Sequence, residues 1–196
     1  MKWDQHYKEI RDANPLVWPD IQVVRLLSKI KLQKDAEVLD LGCGEGRNIR
    51  VLSEYEFNIT ALDQSKHALK IVKRLYQLND EKLICSNAQL GIKQLDDSHY
   101  DLVLCWGLFH YISDTNLLLN EINRILKKGA QTILSFNSFN DKRVTADDVK
   151  KYFSQTEIKD ALRNNDLRVD EIGLIENHFI TDNKVESFYW VLATKV

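Results

Sequence analysis

The sequence predicts an α/β fold: a doubly wound, mostly parallel sheet with helices on both faces and a hairpin-like ending. Three observations carry this. Short apolar runs alternate with 10–15-residue helical patterns through the first 136 residues. The first such run ends in a tight glycine cluster, where an open sheet of this kind places its ligand. The tail breaks the alternation, with two strand-like runs joined only by a connector, which reads as a hairpin ending on a parallel sheet.

The elements follow in order. Residues 1–20 hold Trp3, Tyr7 and Trp18 but no strand pattern. Trp3 and Tyr7, four apart, share a face if that stretch is helical. Pro19 suits a first helical position, with Ile21, Val24, Leu27 and Ile30 at helical spacing behind it. Lys29, Lys31 and Lys34 read as the polar face and end of that helix. Val38-Leu39-Asp40-Leu41 is a buried strand, and Gly46–Tyr55 a helix with Ile49, Leu52 and Val51 inward. Phe57–Leu62 is the second strand. Ser65 is an N-cap for a helix burying Ala68, Leu69, Val72, Leu75 and Tyr76. Leu83–Cys85 and Tyr100–Trp106 are the third and fourth strands. Asp114 or Thr115 caps a helix with Leu118, Leu119, Ile122, Ile125 and Leu126 inward, which Lys127, Lys128 and Gly129 end. Thr132–Phe136 is the fifth strand. Ser154–Asn164 is a helix burying Ile158, Ala161 and Leu162. Leu167–Ile175 and Val185–Ala193 are the last two strands.

The 196 residues fit one domain at the usual ~150 residues each. We divide it into an N-terminal helical cap or lid (1–35), a cofactor-binding core (36–136) and a C-terminal helix and hairpin (137–196). A 44% hydrophobic and 29% charged composition argues against global disorder. The net charge is −2, with no Lys/Arg stripe, which disfavours nucleic acid as a partner. No apolar run reaches spanning length and the start is polar, so a membrane partner and a leader are not expected. The three cysteines, Cys43, Cys85 and Cys105, form no CxxC pair, so neither a disulfide scaffold nor a zinc site is expected, and a cytoplasmic setting fits.

Three of the seven glycines fall within five positions, at Gly42, Gly44 and Gly46. Such a turn lets backbone approach a ligand closely. Asp63 follows the second strand, where an acidic residue suits a ribose diol. The dinucleotide fingerprint G-x-G-x-x-G fails, because Arg47 stands where its third glycine belongs. Asp40, two residues before the first glycine, would repel a pyrophosphate but suits an ammonium or sulfonium group. The turn therefore favours a ligand with a positive end and a ribose.

These segments together resemble the class I S-adenosylmethionine (SAM)-dependent methyltransferases. Val38–Asn48 looks like the family's first motif, and Ala61-Leu62-Asp63-Gln64-Ser65 like its second. Tyr100–Cys105, His110–Asp114 and Glu121–Gly129 match the fourth-strand region and the approach to the fifth. The resemblance is close over 36–136 and loose beyond; Lys128-Gly129-Ala130 replaces the family's Pro-Gly-Gly turn. It implies a Rossmann-like seven-stranded sheet with the last strand antiparallel, which agrees with the hairpin-like tail. It also implies SAM as cofactor, with backbone around Gly42, Cys43 and Gly44 on its methionine part, Asp40 near its ammonium, and Asp63 with Gln64 at the ribose. Asn87-Ala88, where the family often has Asp-Ala, would meet the adenine, and Cys105 and Trp106 would border the methyl group.

Several of these residues have a second reading. The glycine cluster could be a plain strand–helix turn, Asp63 a helix cap, Asp40 a brace for the loop, and Asn87 a loop cap. His110 is either a general base or a packed histidine; Tyr111 either orients substrate or packs. Trp3, Tyr7, Trp18 and Trp106 could wall an acceptor pocket; for Trp18 the favoured reading is a seal of the first helix onto the core. His178 near the hairpin reads as an edge residue, Asp101 as structural surface, and Cys43 as a small buried residue. Together these point to a methyltransferase acting on an O, N or S atom of a small molecule, as monomer or homodimer. The segment Leu104-Cys105-Trp106-Gly107 lacks the Asn/Asp-Pro-Pro-aromatic motif of base-amino and glutamine-amide methylators. Mobile lids are expected at 1–20 or 137–153. A nucleotide- or NAD-dependent Rossmann-type enzyme and a non-catalytic SAM-binding module are the alternatives.

Overall fold

The structure is a computed structural model and describes residues 3–141, 151–179 and 184–196, except for the side chains of Ile10, His178, Phe179 and Lys184. Seven strands form one sheet: β1 (Glu37–Leu41), β2 (Asn58–Asp63), β3 (Leu83–Cys85), β4 (Tyr100–Cys105), β5 (Leu126–Asn137), β6 (Leu167–Phe179) and β7 (Lys184–Lys195). Their order is β3-β2-β1-β4-β5-β7-β6. The first five are parallel, and β7 runs antiparallel to both β5 and β6. This is the doubly wound sheet expected from the alternation.

Side chains along the central strands alternate between the two faces of the sheet, as period-2 geometry requires, and both faces are buried. Val38, Ile59, Ala61, Leu102, Leu104 and Ile133 face one side, packed with α2 (Ile21–Leu27), α3 (Ile49–Glu54) and α4 (Lys66–Tyr76). Leu39, Leu41, Leu62, Val103, Leu134 and Phe136 face the other. There they meet α5 (Ala88–Gly91), α6 (Thr115–Ile125) and α7 (Gln155–Arg163). The helix starts follow cap chemistry. Ser65 accepts from the Ala68 N–H, Asp114 from Leu117, and Ser154 closes a reciprocal capping box with Glu157.

The structure corrects the sequence reading in several places. Pro19 lies outside α2, because Asp20 is its N-cap and accepts from the Gln22 N–H. The buried apolar face is Val23, Leu26 and Leu27, of which only Leu27 belongs to the expected set; Ile21 is 61% exposed, and Ile30 and the three lysines lie beyond the helix. Leu75 turns outward while Ile71 is buried. Lys127, Lys128 and Gly129 do not end α6; they lie in β5, which starts at Leu126 and crosses a register shift before pairing regularly with β4. Trp18 does not seal the core: it is 68% exposed, with the Arg50 guanidinium 4.8 Å from its ring. Asp101 is structural, accepting from the Glu37 N–H and from Lys127.

The N-terminal residues form α1 (Trp3–His6), which runs straight into a π-helical turn, Tyr7–Arg11. Among the described residues no helix is long and apolar enough to cross a membrane.

Candidate cofactor and acceptor site

Strand order reverses between β1 and β4, so the crevice of this sheet opens at their carboxyl ends. Three mouths meet there: the glycine turn after β1, the Asp63–Ser65 turn after β2, and the Trp106–Tyr111 segment after β4.

The glycine turn is tied down from β2. The Gly42 and Cys43 N–H groups both donate to the Leu62 carbonyl, at 2.7 and 3.1 Å. The Gly44 N–H donates to Asp63 Oδ2 at 2.9 Å, and the Ser65 N–H to Asp63 Oδ1 at 2.8 Å. Asp63, not Asp40, is therefore the brace of the loop. Burial pushes its carboxyl pKa up, against the pull of backbone N–H groups from Ser65, Gly44 and Gln64. Gln64 itself is exposed. Gly42 and Gly44 take positive φ, +77° and +54°. A Cβ on Gly42 would meet Leu108 at 3.0 Å, and one on Gly44 the Tyr7 hydroxyl at 2.6 Å. Both glycines are needed for close approach as well as for their backbone shape.

Asp40 is 2% exposed, and its Oδ2 is buried with no hydrogen-bond partner. Burial, with the Asp63 charge adding to it, raises its pKa from 3.8 to about 7. A buried carboxylate in this state is costly, and the partner that would relieve it is a cation. Glu45, 6% exposed, is also raised by burial. It accepts the Leu16 N–H at 2.9 Å and stands 3.6 Å from Arg11.

The other expected site residues take varied positions. Cys43 and Cys105 are buried and their thiols are pushed well up by burial, so neither is a nucleophile at neutral pH. Cys105 is enclosed in the core on the α6 side, so its side chain does not open to the crevice. Trp106 is half-buried, edge-on to Phe188 at 5.5 Å between ring centroids. The Gly107 N–H donates to Ser135 Oγ at 2.7 Å, fixing the β4 mouth to β5. Asn87 is the N-cap of α5, its Oδ1 accepting from Gln89, and Ala88 is 8% exposed behind it. The amide oxygen offered to adenine thus already holds a backbone N–H. His110 is 6% exposed, in a 3₁₀ turn Phe109–Tyr111, with its ring 3.9 Å from that of Tyr111. The His178 side chain lies outside the described residues, as does most of the expected lid at 137–153.

The N-terminal segment reaches all three mouths. Trp3 stacks edge-on to Tyr111 with centroids 5.1 Å apart. Tyr7 sets its hydroxyl on Gly44, and burial with the nearby Asp63, Cys43 and Glu45 pushes its pKa above the ordinary phenol value. Asp4 accepts from Ser65 Oγ at 3.0 Å and from the His67 N–H at 2.9 Å, and stands 2.9 Å from His67 Nδ1. None of the Asp4, Arg11 or Glu45 contacts is anticipated from the sequence. The one available signal was Glu45, an acid inside a glycine turn that no ligand argument used.

A methyltransferase-domain family model matches residues 39–134, from β1 through most of β5. The chain belongs to the class I SAM-dependent methyltransferases. Among its relatives is the ubiquinone biosynthesis O-methyltransferase of Rickettsia bellii, 24% identical over 202 residues, covering 89% of this chain and 83% of that one. A solved SAM-dependent methyltransferase from Methanosarcina mazei superposes with a TM-score of 0.70 at 18% identity, covering 87% of this chain and 97% of that one. Phosphoethanolamine N-methyltransferase 2 of Haemonchus contortus, solved with SAM, gives 0.73 at 14%, covering all of this chain and 60% of that one. At such identities the structures share a fold with this methyltransferase. Its cofactor is SAM, and the residues present fit it: the orphaned Asp40 oxygen wants a cation, and two glycines leave room for backbone approach.

Proposed function

We propose that this enzyme methylates a small-molecule acceptor, with the reaction centred between Asp40, Asp63 and the Trp106–Tyr111 segment. The observation that carries the reading is Asp40, a buried carboxylate at the mouth of β1 whose Oδ2 has no hydrogen-bond partner among the described residues. In this reading Asp40 faces the ammonium of the cofactor. Backbone of Gly42, Cys43 and Gly44 lines its amino-acid end. Asp63 keeps bracing the loop and offers remaining lone pairs to the ribose hydroxyls. Ala88, with Asn87 as cap, borders the adenine, and Gln64 lies exposed beside the ribose. Trp106 walls the acceptor; Cys105 contributes only main chain.

SAM supplies a methyl group already activated on a sulfonium. The protein is left to align the acceptor in line and to exclude water. Among O, N and S acceptors, the O-methyltransferase relatives favour oxygen. A hydroxyl must lose its proton as it attacks; in this reading His110 takes it and Tyr111 orients the acceptor, supported by the near-neutral range of an imidazole and the position of both on the segment after β4. Residues 1–35 act as cap, 36–136 hold the cofactor and 137–196 complete the sheet. The three free cysteines suit a reducing, cytoplasmic setting, and the enzyme works as a monomer or homodimer.

Calorimetric titration with S-adenosylhomocysteine tests the cofactor half. Binding is expected, and none at all would sink the reading. Transfer of labelled methyl from SAM to hydroxylated small molecules tests the acceptor half; labelling only of amines or thiols would move the acceptor away from oxygen.

A further inference from the structure

We propose that residues 3–20 are a strap that must lift for the cofactor to exchange, and that Asp4 is its latch. The inference rests on the cofactor reading of the Gly44 region. The strap crosses the three mouths of the crevice, and Tyr7 sets its hydroxyl on Gly44, one of the two positions where a bare backbone can meet a ligand. Cofactor cannot pass that face while Tyr7 and the Trp3–Tyr111 contact stay in place.

The two ends of the strap are held differently. The inner end is fastened to the glycine turn and the start of α3 by partly buried groups. Leu16 donates to Glu45 and Asp20 to Asn48 Oδ1 at 3.0 Å. At the surface Arg47 reaches the Trp18 carbonyl, and Arg74 donates to the Asp12 side chain and carbonyl midway along the strap. The outer end is held at Asp4, an exposed side chain that accepts from Ser65 Oγ and the His67 N–H at the start of α4. An acid there is favoured by the unsatisfied N–H groups and the positive end of the helix dipole. Exposed contacts of this kind open more readily than partly buried ones. The geometry therefore has a hinge near residues 16–20, a surface tie from Arg74 to Asp12 that must give with the strap, and an outer stretch that swings from Asp4.

The latch also touches the site. Ser65 donates its hydroxyl hydrogen to Asp4 and its N–H to Asp63, whose other oxygen holds Gly44. One short chain of hydrogen bonds thus joins the strap's outer end to the proposed ribose carboxylate. Asp4 touches no reacting group; it is a positioning residue for the strap.

The test compares the full-length wild type with Asp4→Ala, using two readouts. Hydrogen exchange of ligand-free protein at residues 3–12 is expected to speed up in Asp4→Ala while β1, β2 and β4 stay protected. Stopped-flow tryptophan fluorescence with S-adenosylhomocysteine is expected to show association and release both about three- to tenfold faster, with Kd moved less, the scale set by losing helix-cap hydrogen bonds. Should Asp4→Ala fold poorly, Asp4→Asn keeps an acceptor oxygen and must give an intermediate speeding. Unchanged exchange at residues 3–12 overturns the latch. Faster strap exchange with unchanged release overturns the gate. No ligand binding by the wild type would instead fail the cofactor reading, with the exchange result still deciding the latch.

Discussion

Replacing Asp40 by asparagine should stabilise the ligand-free enzyme, and the gain should grow with pH. Asp40 is 2% exposed, its Oδ2 has no partner, and its pKa is raised from 3.8 to about 7. A raised carboxyl pKa means the fold prefers the protonated form. The stability it carries is full below pH 3.8 and is lost as pH climbs to about 7. At about 1.4 kcal/mol per unit of pKa, three units cost about 4 kcal/mol above pH 7. Between pH 5 and 8 the cost grows by about 2–3 kcal/mol. Asparagine has the same shape and no charge, so the gap between variant and wild type should widen by that amount. Urea unfolding of both proteins at pH 5 and pH 8 measures it, and the double difference cancels the titrating groups that do not interact with Asp40. The same substitution should weaken S-adenosylhomocysteine binding about ten- to hundredfold, the loss of one charged hydrogen bond. A gap that is flat with pH, or a variant that binds as tightly as wild type, would refute the reasoning about Asp40.

Asp63→Asn should weaken cofactor binding about ten- to hundredfold. Because Asp63 also accepts from Gly44 and Ser65, the variant should unfold at lower urea too, and loss of affinity without loss of stability would argue against the bracing role. Gly44→Ala forces a side chain into positive φ against the Tyr7 hydroxyl. A cost of about 1–3 kcal/mol is expected, only partly relieved by adding Tyr7→Phe, and full relief would put the whole cost on the steric contact. His110→Asn should lower kcat about 10²- to 10⁴-fold on a hydroxyl acceptor with cofactor affinity unchanged, as measured by steady-state kinetics beside calorimetry; an unchanged kcat would leave His110 as packing.

The parallel core was legible because its signals are local. Apolar runs of strand length, caps such as Ser65, Asp114 and Ser154, and the glycines at the end of β1 each act on their own neighbours in sequence. The errors came where two local signals competed. Pro19 and Asp20 both suit a helix start, and the threefold spacing read from Ile21 kept Leu27 but missed Val23 and Leu26, the other buried apolar residues of α2. Lys127-Lys128-Gly129 has the composition of a helix end, yet it lies inside β5, in the irregular stretch between Leu126 opposite Tyr100 and Gln131 opposite Leu102. The site was legible in part for the same reason. Asp40 and Asp63 were found from their offset to the glycines, but the loop brace, read as a second role for Asp40, falls to Asp63, because which carboxylate faces Gly44 depends on the pleat of two neighbouring strands. The reach from Asp4 to His67 spans a gap in sequence that no periodicity records.

The position of β7 bears on how the molecule is made. Its residues from Phe188 to Thr194 zip against β5, while the other side of the same strand holds β6. During synthesis at roughly 5–20 residues per second, β5 emerges long before the strand that covers its edge. Until β7 arrives, Ile133, Leu134 and Phe136 present an apolar strand with open N–H and C=O groups, a template for pairing with another chain. β6 meanwhile has no partner in the sheet. A nascent chain stalled before Lys184 would carry two unpaired edges, which makes this stretch the interval when a chaperone has most to do.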